Sequence, residues 1–449
     1  MKSKNKWNLR LLLAFGLVGL SISARAQQTL TLQDCINKAL DQSLQLKADN
    51  YDMGKTNAGI KQAYSALLPT ISGSASYQYA FQVNASVIPA ETFGGPAGTY
   101  SAAKLGVPQT KSGSISLNQN LYNASAMIGL KAAKVLVNLN KLQIESSKED
   151  LVYNVSATYY NIQAIIKQAE LTSKTLASTE ALLQITQDQF KAGLATETDA
   201  DRLTVTRDNT KANLQSLDNS KEKYHNLLKV LMNVALTENI TVQSFTDNEA
   251  DAALLQLPAY NPATKTNYLQ VIENIKVANL QKQNIKAGLK PTLSLNASYG
   301  LSGYNNNADP FKNINSKFYP SSSVGLSLKV PIFDGFSVKY QAKQKDFEIK
   351  KYQVQAEQTM QQNNKDVADA YADIKSNFIT YQNQQRNLAL AEKVMKDINQ
   401  QYKSGLVKVS DVINSNTDLQ TAQSNFVTAL INIKQAELNL KKAQGHLLK

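Results

Sequence analysis

Four stretches of the chain alternate apolar with small polar residues at a period of two. From Ile71 to Val83 the odd positions read Ile, Gly, Ala, Tyr, Tyr, Phe and Val, while the even ones read Ser, Ser, Ser, Gln, Ala and Gln. The same alternation sets Gly113, Ile115, Leu117, Gln119 and Leu121 against Ser112, Ser114, Ser116, Asn118 and Asn120. It returns as Leu293, Leu295, Ala297, Tyr299 and Leu301, and again as Val324, Leu326, Leu328 and Val330. Successive side chains of a strand point to opposite faces, so each stretch reads as a strand with one apolar face. The pattern predicts strands over about 70–84, 111–122, 291–302 and 323–333. A run of about ten residues is the length of a tilted strand crossing an outer membrane.

A soluble sandwich shows the same alternation, so the surroundings decide. Four strands do not close a membrane barrel, and open edges are not tolerated in hydrocarbon. In a membrane the edges are therefore satisfied by other copies of the chain. Three copies supply twelve strands, an even number within the range of such barrels. Tyr77, Tyr79, Phe81, Tyr122, Tyr299, Tyr304, Phe318, Tyr319 and Phe333 lie in or beside the strands and suit the aromatic girdles at the two interfaces. Residues Asn84 to Thr110 and Gly303 to Ser322, rich in Gly, Pro, Asn and Ser, suit longer extracellular loops.

Elsewhere the apolar spacing lengthens to three and four. No Pro interrupts Ser125 to Lys191, where Val152, Val155, Tyr159, Ile162, Ile166 and Ala169 follow one another at helical steps. The stretch from about Phe336 to Lys403 carries Val367, Tyr371, Ile374, Phe378 and Tyr381 in the same way, and the last helix carries Leu419, Ala422, Phe426, Ala429, Ile433, Ala436 and Leu440. Sustained heptads of this kind predict coiled-coil packing. At 1.5 Å per residue, each long helix spans roughly 100 Å. Shorter helices are expected over Leu32 to Leu68, Thr198 to Val234, Thr264 to Leu289 and Ser410 to Leu447. Two short helices stacked end to end match one long one, and narrow apolar seams on such helices suit the walls of a hollow tube.

The halves of the chain repeat one another. Gln401-Tyr402-Lys403-Ser404-Gly405-Leu406-Val407-Lys408-Val409-Ser410-Asp411 nearly reproduces Gln189-Phe190-Lys191-Ala192-Gly193-Leu194-Ala195-Thr196-Glu197-Thr198-Asp199. In both, Gly follows a helical run and Ser or Thr precedes Asp, which reads as the tight tip of a helical hairpin. Val155 and Tyr159 correspond to Val367 and Tyr371, Ser116-Leu117 to Ser327-Leu328, and Pro69-Thr70 to Pro291-Thr292. The predicted layout is a first repeat over 27–236, an irregular connection with Pro258 and Pro262 over 237–262, and a second repeat over 263–449.

Composition narrows the picture. Lys2, Lys4, Lys6 and Arg10 precede an apolar run from Leu11 to about Ile22, and Ala24-Arg25-Ala26 supplies small residues around a cleavable bond. Residues 1–26 read as a signal peptide, with Gln27 as the first mature residue; a membrane-anchoring helix fits the cleavage site less well. Its removal lowers the formal charge from +13 to +8 and leaves no basic run with interleaved aromatics, so nucleic acid is not expected as a partner. Cys35, the only cysteine, follows Leu32-Gln33-Asp34, and the acid at 34 is unlike the small residue that precedes a lipidated cysteine. His225 and His446, the two histidines, stand far apart with no second ligand nearby, so neither a metal site nor a His-dependent catalytic set is expected, and no cofactor is implied. No mature segment has eighteen consecutive apolar residues.

Taken together, the duplicated halves, Leu67-Leu68-Pro69 before the first strand, Val330-Pro331-Ile332-Phe333-Asp334-Gly335 after the fourth and the two Gly-Leu tips resemble the TolC family of outer-membrane efflux ducts. The resemblance covers essentially the whole mature chain and rests on the order and spacing of its motifs. It implies a mixed α and β membrane protein of a Gram-negative outer membrane: a homotrimer whose twelve-stranded barrel continues into a periplasmic α-helical coiled-coil tunnel. It also implies docking through a periplasmic adaptor to an inner-membrane pump. Gly193, Leu194, Gly405 and Leu406 would then meet the adaptor, and Asp411, with Asp199 and Tyr402, would belong to the constriction at the periplasmic end. Familiar members carry a second acid where this chain has Asn414, and an Arg where it has Val407, which implies a gate held by fewer charged contacts. Three plain alternatives stand beside these roles: at each tip Gly serves the turn geometry while Leu packs locally, each Asp stabilises the first turn of the helix beside Thr198 or Ser410, and Tyr402 packs the hairpin.

The expected function is a passive exit duct for small toxic compounds, driven by the pump. The alternatives are the exit duct of a type I protein secretion system and an uptake porin. An enzyme is not expected, because the acids are scattered along helical faces rather than gathered with a base or metal set.

Overall fold

A computed structural model describes residues 29–245, 260–307 and 317–448. The expected signal peptide, the part of the mid-chain connection that holds Pro258 and the tip of the second long loop lie outside the described residues. Among those described, the strands are β1 (Thr29–Leu30), β2 (Thr70–Tyr79), β3 (Ala85–Pro89), β4 (Tyr100–Lys104), β5 (Gln109–Tyr122), β6 (Thr241–Val242), β7 (Thr292–Asn305) and β8 (Lys317–Lys329). The helices are α1 (Leu32–Gln42), α2 (Leu44–Ser65), α3 (Ala124–Lys191), α4 (Glu197–Leu231), α5 (Thr266–Ala287), α6 (Ser337–Lys403) and α7 (Val409–Gln444). The chain divides into two compact units: one comprises the described parts of Met1–Asn50, Leu142–Leu269 and Gln358–Lys449, the other Tyr51–Lys141 and Gln270–Glu357.

The second unit holds an antiparallel sheet of order β2-β5-β7-β8, built from the four alternating stretches. Register places Ser72, Ser116, Ser298 and Ser323 in one row across all four strands, and Ile71, Leu117, Ala297 and Val324 in the next. The sheet thus has a serine face and an apolar face. On the first, Ser72 and Ser116 hydroxyls lie 2.8 Å apart, Ser74 and Ser114 2.9 Å, Ser76 and Ser112 2.7 Å, and Asn118 donates to Asn296 at 2.7 Å. On the second, Ile71, Ile115, Tyr299, Val324, Leu326 and Leu328 are all exposed within the single chain. β2 and β8 are the outer strands of this sheet.

Strand limits differ from the expected ones. β2 stops at Tyr79 instead of near 84, and β8 begins at Lys317 instead of near 323 and ends before Pro331, which has no N–H to give a ladder. The first long loop is not wholly irregular: Ala85–Pro89 and Tyr100–Lys104 pair as a hairpin. A bulge between Asn120 and Tyr122 sets Tyr122 opposite Leu293 on the apolar face. Tyr304 and Tyr319 fall on the serine face, with Tyr319 opposite Ser302, and so do not share the apolar face with the other strand aromatics Tyr77, Tyr79, Tyr299 and Phe318.

Helices follow the strand order. Asn140 of α3 donates to the Thr56 hydroxyl of α2, Ser125 of α3 donates to Asn284 of α5 at 2.5 Å, and Lys282 of α5 pairs with Asp346 of α6. The predicted helix over 32–68 is broken at Ser43, whose ψ of 127° is extended and whose hydroxyl accepts from the Leu46 N–H, so it starts a second helix.

In the other unit the predicted seams are buried or half-buried. Val155, Tyr159 and Ile162 of α3 pack with Cys35, Leu228 and Met232 against the parallel pair β1 and β6, and the Tyr159 hydroxyl donates to the Leu30 carbonyl at 3.1 Å. A second core joins α3, α4, α6 and α7 through Ile374, Tyr381, Val412, Phe426 and Ile433. Cys35 is completely enclosed, and burial, with the Asp34 charge, pushes its thiol up to about 11. Its position inside α1 is that of a core residue. Truncating Ile162, also fully enclosed, to Ala removes packing around this thiol and is expected to cost about 2–5 kcal/mol. Thermal unfolding and the rate of Cys35 labelling by a thiol reagent both report it; unchanged labelling would place Cys35 outside that cluster.

Candidate functional site

The two tips share one backbone solution. Gly193 and Gly405 adopt φ of 75° and 70°, the left-handed region that a side chain resists. Around the first, the Leu194 N–H donates to Gln189 O at 2.8 Å and the Gly193 N–H to Phe190 O at 2.9 Å. Around the second, Leu406 N–H donates to Gln401 O and Gly405 N–H to Tyr402 O, each at 2.9 Å. This 6→1 and 5→2 pairing closes the end of each long helix and turns the chain. It uses only backbone groups, and the leucine side chains are left outside: Leu194 is 80% exposed and Leu406 75%.

Both aspartates lie at the start of the returning helix, two residues deeper than the sequence suggested. Thr196, not Thr198, caps α4, and its hydroxyl accepts from the Asp199 N–H while Asp199 accepts from the Thr196 hydroxyl at 2.7 Å and its N–H at 3.3 Å. Lys408, not Ser410, precedes α7, and Asp411 accepts its N–H at 3.1 Å. Lysine has no side-chain acceptor, so only half of the reciprocal capping box forms at the second tip. Asp411 and Asn414 remain exposed, one helical turn apart. Tyr402 is different: it is buried, and its hydroxyl lies 2.7 Å from that of fully buried Thr186 on α3. Within the chain it is a packing residue joining α6 to α3.

Thr186 is the residue that sequence reasoning missed here. It belongs to a buried series with Thr172, Thr175 and Thr179, and Thr175, Thr179 and Thr186 each return a hydroxyl hydrogen bond to the carbonyl four residues earlier. These four positions have helical spacing in the sequence, but a hydroxyl side chain does not mark an apolar seam. At the other end of the chain's chemistry, the serine face offers uncharged hydroxyl and amide groups across four strands, with Lys317 and Lys329 only at the ends of β8. Such a face presents hydrogen-bonding groups with no fixed charge except at those two ends.

A family model described as outer membrane efflux protein matches residues 35–234 and 270–446. Outer membrane protein TolC of Escherichia coli (strain K12) is 23% identical over 423 residues, covering 91% of this chain and 81% of the relative. Outer membrane efflux protein BepC of Brucella suis biovar 1 is 19% identical over 415 residues, covering 91% and 83%. The solved structure of the open state of the Neisseria gonorrhoeae MtrE outer membrane channel is similar with a TM-score of 0.69 at 18% identity, over 93% of this chain and 89% of that one. VceC, an outer membrane protein of Vibrio cholerae, gives 0.70 at 15% identity over 92% and 96%. The matched blocks take in all four long strands and both tips, and the chain belongs to the outer membrane efflux protein family, with the mixed helix-and-sheet channel fold of TolC-like proteins and a place in the outer membrane.

Proposed function

We propose that three copies of this chain form a passive exit duct in the outer membrane, through which an inner-membrane pump, coupled by a periplasmic adaptor, expels small toxic compounds. The observation that carries this reading is the β2-β5-β7-β8 sheet, with one apolar face, one serine face and two outer strands that hydrocarbon does not leave unpaired. Three such sheets close a twelve-stranded barrel with the serine face inward. The 68-residue α3 and 67-residue α6, ending in the same Gly-Leu turn, support a duplicated chain whose helices prolong the duct into the periplasm. Reconstitution in planar bilayers tests the channel, and deletion of the gene followed by drug-susceptibility measurement tests the direction of transport. Increased susceptibility supports efflux; loss of a secreted protein instead points to type I secretion, and slower nutrient entry to a porin.

In this reading the tips meet the adaptor and Asp411 faces the axis near the closed end, so three carboxylates gather in a narrow aqueous passage and favour cations. Asp411→Asn keeps an acceptor for the Lys408 N–H while removing the charge. Cation preference and block by divalent ions are expected to weaken, with stability changed by less than the roughly 0.5–2 kcal/mol of a lost cap. Unaltered selectivity in single-channel recordings would leave Asp411 as a helix-end residue only.

A further inference from the structure

Within the unit that holds the sheet, the helices run α2, α3, α5, α6 in the order of their strands, so α2 and α6 are the flanks. Both flanks carry surface that the chain does not cover. α2 has 22 residues and buries only Leu46. On α6, Ala342, Ile349 and Ala356 recur every seven residues and are buried, while Tyr340, Phe347 and Val354 recur at the same interval on the opposite face and are exposed, Phe347 by 60%. A helix with two heptad seams on opposite sides packs between two neighbours, and here one neighbour is missing.

α2 has a complementary gap. Lys55, Ala58, Gly59 and Gln62 line a cleft of about 620 Å³, bounded on the other side by Ala133 and Leu136 of α3. Lys55 lies ten residues before Ser65, where α2 meets the sheet, and Phe347 lies ten residues after Ser337, where α6 leaves it. Gln62 and Tyr340 each lie three residues from the same ends, so two aromatic rings on one flank are spaced like the two ends of the cleft on the other. Closing the sheet edge of β8 against β2 of a second copy brings α6 beside that copy's α2.

We propose that Phe347 and Tyr340 of one copy seat in the Lys55–Gln62 cleft of the next, forming the helical seam that continues the joined sheet edges. This rests on the three-copy reading above. The partner is a second copy of the chain, because β2 leads from α2 and β8 leads into α6, and the strand edges dictate which flanks meet. Gly59, with no side chain, and Ala58 leave the room that a phenyl ring fills, as a knob enters a hole.

Cysteine cross-linking in outer-membrane fractions tests the seam. Phe347→Cys is combined in turn with Lys55→Cys, Ala58→Cys and Gln62→Cys, which cover the cleft in helical steps, and with Asn57→Cys, which points away from it. A disulfide needs Cα atoms about 4.4–6.8 Å apart, so only a facing pair closes. Native Cys35 is enclosed and does not compete. Oxidation is expected to link copies through at least one cleft pair and not through the Asn57 pair. Native mass of the unoxidised variants separates the two levels of the argument. A three-copy mass with no cleft-pair link, or with linking at Asn57 alone, overturns the seam and leaves the duct standing; a one-copy mass overturns both.

Discussion

Replacing Leu194 and Leu406 together with Ser is expected to abolish export while leaving assembly of the protein unchanged. The tips close through backbone hydrogen bonds around Gly193 and Gly405, and neither leucine side chain is needed for that closure. Local packing, the ordinary reason for a leucine after a helix-ending glycine, does not account for side chains that are 80% and 75% exposed. An apolar residue presented twice, at the same place on two similar turns, fits burial against a partner. Covering a leucine contributes about 1.5–3 kcal/mol, so two per copy amount to about 3–6 kcal/mol, a loss of roughly 10²–10⁴ in affinity for each copy's contact. Drug susceptibility of a deletion strain carrying the double variant measures export, and the level of assembled protein in the outer membrane checks folding. Normal resistance in that strain would remove the tips from the docking surface.

The strands and seams were legible because their periods are set by backbone geometry and one face of each is apolar. Ile71 to Tyr79 and Val324 to Leu328 alternate without interruption, and the sheet register puts those positions on one face. The tips were legible because Gly193 and Gly405 occupy a backbone region that few other residues accept. What the sequence hid depended on pairing across the chain. The bulge that turns Tyr122 to the apolar face is a property of two strands together, and so is the placement of Tyr304 and Tyr319 on the serine face. Thr186 was hidden for a different reason: its hydroxyl is satisfied by the Leu182 carbonyl and by Tyr402, so a residue counted as polar behaves as core. Lys408 at a helix start was likewise not readable, since lysine gives no capping signal and Asp411 alone supplies the bond.

The two faces of the sheet make opposite demands, and adjacent residues near the middle of β8 expose the difference. Val324 lies in the apolar row with Ile71, Leu117 and Ala297, and Ser323 in the serine row with Ser72, Ser116 and Ser298. In the three-copy duct proposed above, the apolar face meets lipid and the serine face lines the passage; an arginine facing lipid near mid-membrane costs about 2–4 kcal/mol, so Val324→Arg in three copies costs about 6–12 kcal/mol, comparable with the whole stability of an ordinary domain. That variant is expected to be absent from the outer membrane as assembled protein. Ser323→Arg loses one hydroxyl contact, the 2.9 Å approach to Ser298, worth about 0.5–1.5 kcal/mol, and places its charge in water. It is expected to assemble, with lower single-channel conductance and a shift toward anions from three added positive charges in the passage. Heat-resistant oligomer in outer-membrane fractions and planar-bilayer recordings give the two readouts. Equal tolerance of both arginines would mean that the sheet is bathed by water on both sides, and loss of the Ser323 variant alone would mean that the serine face is the one turned to lipid.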